Sequence, residues 1–404
     1  MDIINLRKII GKLHLWLGLF SGLVVFVLGI TGCIWAFEEE IKAWVYADKL
    51  KVEVPTEGEP LALGRHLQSV QQALGANHPI QRITVENAPG KSIVFRSFSP
   101  VNEASGIWYW NEIQHNYWVY VNPYTAEILK KEDQTFEFFT FTFWLHWSLL
   151  LKTDIGQPIV GSATFIFIIM LVTGLVLWWP KNKAARIQRF RIRWKPTTRW
   201  KRKNYDLHNI LGFYSMFLTV FIALTGLMWA FTWFSDGVQW LANGGESLER
   251  EQLRVTSIEA SLRYPNPLDM VYETLQLDHP NAKTYYINLP MATKGTIGSY
   301  VDYKDNSKDI YLHFDQYSGE RLHSSIKWED KTNGEKIQAY NYDIHTGAIG
   351  GLLGKTVAFF VSLFSASLPI TGFFIWYGRH FKKGKRRSKK QQRLKVKDVT
   401  RSWE

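Results

Sequence analysis

The chain has 404 residues, 46% of them hydrophobic, and 48 Lys and Arg against 36 Asp and Glu, for a formal net charge of +12. That length suggests two or three soluble domains, but several apolar runs long enough to cross a bilayer exclude a wholly soluble protein. The lone cysteine, Cys33, excludes an intramolecular disulfide framework and a CxxC redox or zinc site, so any redox chemistry needs a bound cofactor.

The apolar runs cover residues 13–37, 158–179, 210–234 and 356–377, each close to the ~20 residues that cross ~30 Å of hydrocarbon. The first is too long for the apolar part of a signal peptide and leads into Glu38-Glu39-Glu40 without a small-residue cleavage site, so it reads as a retained span. Charge sets the orientation. Arg7, Lys8 and Lys12, the loop 181–203 and the tail from Arg379 together carry 26 Lys and Arg against Asp2, Asp398 and Glu404, leaving 22 basic and 33 acidic residues elsewhere. The positive-inside rule then puts both termini and the middle loop in the cytoplasm, with the two long connections outside. Trp194 and Trp200 do not turn the basic loop into a nucleic-acid patch, because topology and anionic lipid account for its charge.

In chain order, residues 1–37 form the cytoplasmic N-terminus and first span, and 38–140 the first outer domain. Within that domain residues 61–74 have helical spacing, with Asn77-His78-Pro79 as the stop. Residues 80–86, 91–98, 107–110 and 117–121 read as strands, the last leading into the turn Asn122-Pro123-Tyr124-Thr125-Ala126-Glu127. Residues 141–180 give the second span with an outer extension, 181–204 the basic cytoplasmic loop and 205–234 the third span. The second outer domain, 235–345, repeats the signals: a helix at 267–277, strands at 283–289, 298–303 and 310–314, then Asp315-Gln316-Tyr317-Ser318-Gly319-Glu320. Residues 346–378 form the fourth span and 379–404 a basic tail.

The chain is written twice. His14 falls on His208, Gly18 on Gly212, Ser21 on Ser215, Thr31-Gly32 on Thr225-Gly226 and Trp35-Ala36-Phe37 on Trp229-Ala230-Phe231. The even spans end alike, T-G-L-V-L-W-W from Thr173 and T-G-F-F-I-W-Y from Thr371, and His146 precedes one as His345 precedes the other, with one residue gained or lost between. The expected fold is an α-helical integral membrane protein with four transmembrane helices as two parallel repeats and two small α+β extracytoplasmic domains.

Four of the eleven histidines, His14, His146, His208 and His345, thus hold matched places beside spans, where an ionisable residue is costly unless it serves a site. Orientation puts His14 and His208 near the cytoplasmic face and His146 and His345 near the outer face. From His14 to Thr31 is about 25 Å of helix, so the Thr-Gly pair lies at the far side. Two neutral imidazoles from facing helices suit the axial positions of a haem; zinc wants four ligands, which one such pair does not supply. The small residues Gly18, Ser21, Gly212 and Ser215 leave room for a macrocycle or for close helix packing. Lys12, Arg202 and Lys203 are placed to meet propionates or merely follow from topology. His380 is a lesser candidate as an inner ligand. His66, His78, His115, His279, His313 and His323 read as surface residues, and the last two flank the second turn, where contact with an iron substrate is the lesser reading. Trp35, Trp178, Trp179, Trp229 and Trp376 read as an interfacial belt. The aromatic residues around His146, including Phe143, Trp144 and Trp147, read as ordinary packing, with a haem wall or a docking surface as the alternatives. No P-loop, G-x-G-x-x-G turn, G-x-S-x-G elbow or H-E-x-x-H helix occurs, so no domain of the chain's own binds a dinucleotide or flavin.

Histidine-headed spans, the doubled T-G-x-x-x-W helix ends and the P-Y-T-x-E turn resemble the PepSY-associated transmembrane family, which includes bacterial ferric-siderophore reductases. Ala126 stands where the family pattern has glycine, and Gln316 where it has proline. The resemblance implies PepSY-like outer domains and b-type haem, two per chain, held as iron axial ligands by His14 with His208 and by His146 with His345. It implies transmembrane electron transfer from an unknown cytoplasmic or quinol donor to ferric iron or a ferric siderophore outside. Alternatives are a membrane regulator or assembly factor without redox activity, and a metal or siderophore transporter.

Overall fold

The computed structural model describes residues 3–401 apart from 102, 104, 181, 248–253, 260–264 and 304–307, with side chains described up to Phe381. Its helices in chain order are α1 (Ile3–Ala36), α2 (Glu38–Val45), α3 (Ala47–Leu50), α4 (Leu63–Leu74), α5 (Phe138–Ser148), α6 (Thr153–Trp178), α7 (Lys183–Phe190), α8 (Trp200–Ala230), α9 (Thr232–Ala242), α10 (Pro267–Asp278), α11 (Asn333–Thr346) and α12 (Gly351–Arg401). The strands are β1 (Arg82–Glu86), β2 (Ile93–Pro100), β3 (Ile113–Val121), β4 (Ile128–Asp133), β5 (Thr284–Asn288), β6 (Thr296–Asp302), β7 (Ile310–Asp315) and β8 (Arg321–Ser324).

Four helical stretches, Asn5–Ala36, Thr153–Trp178, Trp200–Ala230 and Ala348–Phe381, are long and apolar enough to cross a membrane, and the chain is a multi-pass membrane protein. Helix α1 packs on α6 and α12, and α8 packs on the same two, so α1 and α8 face each other across the bundle. Glycines set these approaches: a Cβ on Gly29 would stand 2.8 Å from Ala366 Cβ of α12, and one on Gly161 2.7 Å from the Phe231 ring at the end of α8. Outward residues such as Phe20 and Leu23 are 81% and 74% exposed, which water would penalise and hydrocarbon does not.

The span expected at 158–179 differs from the structure in one respect that matters for the site. The chain breaks before it, because Leu149 and Leu150 both take positive φ (57° and 65°), and His146 therefore rides on the separate helix α5. Gly347, at φ 80°, makes the same break after α11, which carries His345. Both links run four residues, 149–152 and 347–350, and the one-residue difference in spacing lies in the helices before them, where His146 stands two residues and His345 one residue from the helix end.

The two segments between odd and even spans, expected as separate small domains, share one eight-stranded antiparallel sheet in the order β4-β3-β2-β1-β5-β6-β7-β8. Ile83 of β1 opposes Ile287 of β5 at the seam. Period-two burial, as along β2, sends Ile83, Phe95, Val119, Ile287, Val301 and Phe314 into a single core beneath α4 and α10. Each such side chain contributes about 1.5–3 kcal/mol on burial. The backbone N–H of Gly64 in α4 donates to Asp269 Oδ1 of α10 at 2.7 Å, tying the halves again.

Three local expectations are corrected. Residues 107–110 are not a strand: Trp108 makes one bridge to Leu151, and Tyr109–Glu112 is a 3-10 turn. The fully buried Tyr109 dictates this, donating its hydroxyl to Thr135 O at 2.6 Å and stacking on Trp144. Strands β4 and β8 were not anticipated, because both are charged edge strands without apolar alternation. Helix α4 ends at Leu74, ahead of the expected Asn77-His78-Pro79 stop, with Gly75 at φ 82° as its cap.

Candidate functional site

The structure brings His14 of α1 and His208 of α8 together, ring centroids 6.5 Å apart, and His146 of α5 and His345 of α11 together at 6.0 Å. The planes of the two rings in each pair are nearly perpendicular, at 84° and 77°. The first pair lines a cavity of about 420 Å³ at the end of the bundle away from the sheet. The second lines one of about 370 Å³ at the sheet side.

The Thr-Gly doublets, read in the sequence only as marks of helix ends, hold these rings. Thr173 Oγ1 lies 2.9 Å from His14 Nδ1, Thr371 Oγ1 2.9 Å from His208 Nδ1, Thr31 Oγ1 2.8 Å from His146 Nδ1 and Thr225 Oγ1 2.9 Å from His345 Nδ1. Each threonine hydroxyl donates its own hydrogen back to a carbonyl one turn earlier: Thr31 to Val27, Thr173 to Ile169, Thr225 to Phe221 and Thr371 to Ser367. The oxygen therefore accepts from the imidazole, so Nδ1 carries the hydrogen and Nε2 keeps its lone pair.

The glycine of each doublet gives the ring its place. A Cβ on Gly174 would stand 3.2 Å from His14 Cε1, on Gly372 3.3 Å from His208 Cε1, on Gly226 3.4 Å from His345 Cε1 and on Gly32 3.6 Å from His146 Cε1. The signal was present in the sequence as four copies of Thr-Gly, one per span. Spacing along a helix does not reveal which helix it will face.

A six-coordinate iron between two imidazoles needs bonds of about 2 Å, which sets ring centroids about 6 Å apart; both pairs have that separation. Two donors per cavity suit an axial pair. Among the described residues no group of three or more His, Cys, Asp or Glu is placed to hold a metal ion directly. The linings are apolar and aromatic, as a macrocycle requires. Gly18 and Gly212 line the first cavity, and a Cβ on Gly18 would lie 2.8 Å from Met170 Cε, so the small residues serve packing and space together. Val25 and Phe167 line both cavities and, with Leu171, form the buried partition between them.

Several side chains lie elsewhere than expected. Four of the five supposed belt tryptophans line cavities, Trp178 and Trp376 the first and Trp35 and Trp229 the second. Trp178 is only 4% exposed and stacks on Phe213 at 3.8 Å, whereas Trp179 is 64% exposed as a belt residue should be. Phe143 and Trp147 also line the second cavity. The cation at the mouth of the first cavity is Arg379, not Lys12, Arg202 or Lys203; Arg202 pairs with Asp206 and Lys203 covers Trp194. His380 lines that mouth, with Nδ1 directed to Trp376 O at 3.2 Å. The histidines assigned to the surface are all at least partly covered. His66 is fully buried, and His115 is buried with Nε2 3.1 Å from Ser97 Oγ.

A family model described as PepSY-associated TM region matches residues 12–379, a stretch that includes all four paired histidines and their threonines. The chain has no match among curated proteins.

Proposed function

Because this chain belongs to the PepSY-associated transmembrane family, we propose that it is a haem-containing electron-transfer protein that reduces ferric iron or ferric siderophores on the outer side of a bacterial inner membrane. The observation that carries this reading is the stacking of two imidazole pairs at two depths of one bundle, every Nδ1 committed to a threonine and every Nε2 left free. Haem b bound in both cavities would supply one-electron chemistry with its axial positions filled. His14 with His208, and His146 with His345, would be the axial ligands. The threonines orient those imidazoles, and the apolar, aromatic lining excludes water and favours their neutral form.

The same set of His–Thr contacts in both halves supports two parallel repeats. The basic loop and tail support an orientation with the first cavity on the cytoplasmic side, open to a cytoplasmic or quinol donor, and the sheet outside. Reduction would release the iron, since hard oxygen donors hold Fe(II) less firmly than Fe(III).

The test is the absorption spectrum and haem content of the purified full-length protein. Two haems per chain are expected, with His14→Ala or His208→Ala losing one and His146→Ala or His345→Ala the other. A protein expressed with ample haem that shows no reducible Soret and α bands overturns the reading. Loss of the same haem from His14→Ala and His146→Ala overturns the pairing.

A further inference from the structure

The sheet has a second face, turned away from α4 and α10, and its cross-strand rows have distinct chemistry. In one row Arg96 of β2 stands directly opposite Arg82 of β1, which stands opposite Asn288 of β5. The row continues through Gly298 of β6 and His313 of β7 to His323 of β8. In the neighbouring row Tyr286, Tyr300 and Tyr311 are successive partners, stacked with centroids 5.8 and 4.5 Å apart.

Like charges directly opposite on adjacent strands cost stability, and no anion offsets the cost: Arg96 has only the ring of Phe98, 5.1 Å from its guanidinium carbon. Among the described residues neither guanidinium has a carboxylate within 4.0 Å. Arg82 Nε donates only to Asn288 Oδ1, at 2.7 Å, and Arg96 Nε is buried without a hydrogen-bond partner. Burial, then the facing Arg82, lowers the pKa of Arg96. A missing anion is the economical explanation of such a pair.

The tyrosine row places three rings stacked on one another beside the cations, with Tyr311 at its open end. On the first half of the sheet the outer strands of this face are covered, with Lys42 of α2 over Trp118 and Lys49 of α3 over Tyr120, whereas Arg82 at the seam is exposed. On the second half Tyr311 is 58% exposed. Of the acidic groups, Asp309 accepts from Tyr300 and Asp302 opposes Thr284 in the next row, while Glu132, beyond Trp118 in the row of Arg96, is paired with Lys49 and Lys130.

We propose that the shelf formed by Arg82, Arg96 and Asn288 beside Tyr286, Tyr300 and Tyr311 is the docking subsite for an anionic iron chelate with aromatic oxygen-donor rings, of the catecholate type. The guanidiniums meet its negative charge, and one of its rings extends the tyrosine stack at the exposed Tyr311. Calling the ligand a substrate rests on the reductase reading; the docking itself does not.

The test uses full-length protein in detergent and gallium(III) complexes, which are not reduced, with binding followed by quenching of aromatic fluorescence. Gallium tris(catecholate) should bind about tenfold or more tightly than neutral gallium tris(hydroxamate) or anionic but non-aromatic gallium citrate, and less tightly as salt rises. Arg82→Gln and Arg96→Gln should each weaken it about tenfold. Tyr311→Ala, which removes an exposed ring and leaves the core intact, should weaken it by a smaller factor and keeps the test open if an arginine variant misfolds. Equal binding of the three complexes, or wild-type affinity in all folded variants, overturns the proposal. Catecholate binding by protein that lacks haem would sustain the subsite and sink the reductase reading, while haem spectra without selective binding would do the reverse.

Discussion

Thr31 Oγ1 lies 2.8 Å from Nδ1 of His146, a residue 115 positions later and on another helix. Because Thr31 spends its hydroxyl hydrogen on Val27 O, the contact can run only from imidazole to hydroxyl. One threonine thereby fixes the tautomer and the rotation of a ring whose apolar cavity favours its neutral form. The other three threonines do the same for their histidines, so the four Thr-Gly doublets are parts of the site.

Thr31→Val keeps the side-chain volume and leaves His146 Nδ1–H without its acceptor. Loss of such an outer hydrogen bond typically weakens binding or activity about 10–100-fold, so haem titration of the apoprotein should show one of two sites weakened by that order and its midpoint potential displaced. Thr31→Ser should restore both. Wild-type affinity and potential in Thr31→Val would show the threonine to be mere packing.

Gly174 provides a steric counterpart. A Cβ there already stands 3.2 Å from His14 Cε1, so Gly174→Val should push the ring off its position and empty the first cavity while the second keeps its ligand. Gly32→Ala, with 3.6 Å to His146 Cε1, should be tolerated. Loss of both sites in Gly174→Val would mean that the cavities are not independent, and pyridine-extracted haem per chain distinguishes the cases.

The spans, the duplication and the four paired histidines were legible because each leaves a local mark: an apolar run, a repeated string, an ionisable residue beside hydrocarbon. The partners of those histidines were not. Thr173 is 159 residues from His14, and helical periodicity says which residues share a face but not what the face meets. The joined sheet was hidden for the same reason, since Ile83 and Ile287 carry the same alternation whether their strands lie at an edge or at a seam. Trp178 misled because its neighbour Trp179 is a true interfacial residue, and two adjacent helical positions point in directions about 100° apart.

The departures from the family pattern at the sheet turns have structural consequences. Ala126 takes φ 61°, while the corresponding turn in the other half has Gly319 at φ 74°. A left-handed conformation costs an L-residue about 1–2 kcal/mol, and glycine returns part of that through its greater freedom when unfolded. Ala126→Gly should therefore stabilise the outer sheet by about 0.5–1 kcal/mol. Gly319→Ala should destabilise it, since its Cβ would also stand 3.0 Å from Pro267 O. Thermal unfolding should move the two variants in opposite directions. Gln316 has its own role: its Nε2 lies within 3.0 Å of the carbonyls of Ala292, Thr293 and Gly295, and its N–H donates to Ser257 Oγ. Gln316→Pro loses all of these and should loosen that loop.

Asp302 gives the outer sheet a pH dependence of definite sign. Burial raises its pKa from 3.8 to about 6; Lys283 opposes the shift, and Asp309, Glu39 and Asp343 reinforce it. A carboxyl whose folded pKa exceeds its unfolded value favours folding while it is protonated, and its ionisation destabilises the fold. The contribution of Asp302 should accordingly fall as pH rises from about 4 to about 6 and level off above, whereas the lowered pKa values of His66, His115, His279 and His313 contribute the opposite slope. The stability difference between Asp302→Asn and wild type should therefore grow across that window, and the variant should unfold at a higher temperature than wild type at pH 7.5. Unfolding midpoints for both proteins across pH 4 to 8 check this, and parallel profiles would mean that another group sets the slope.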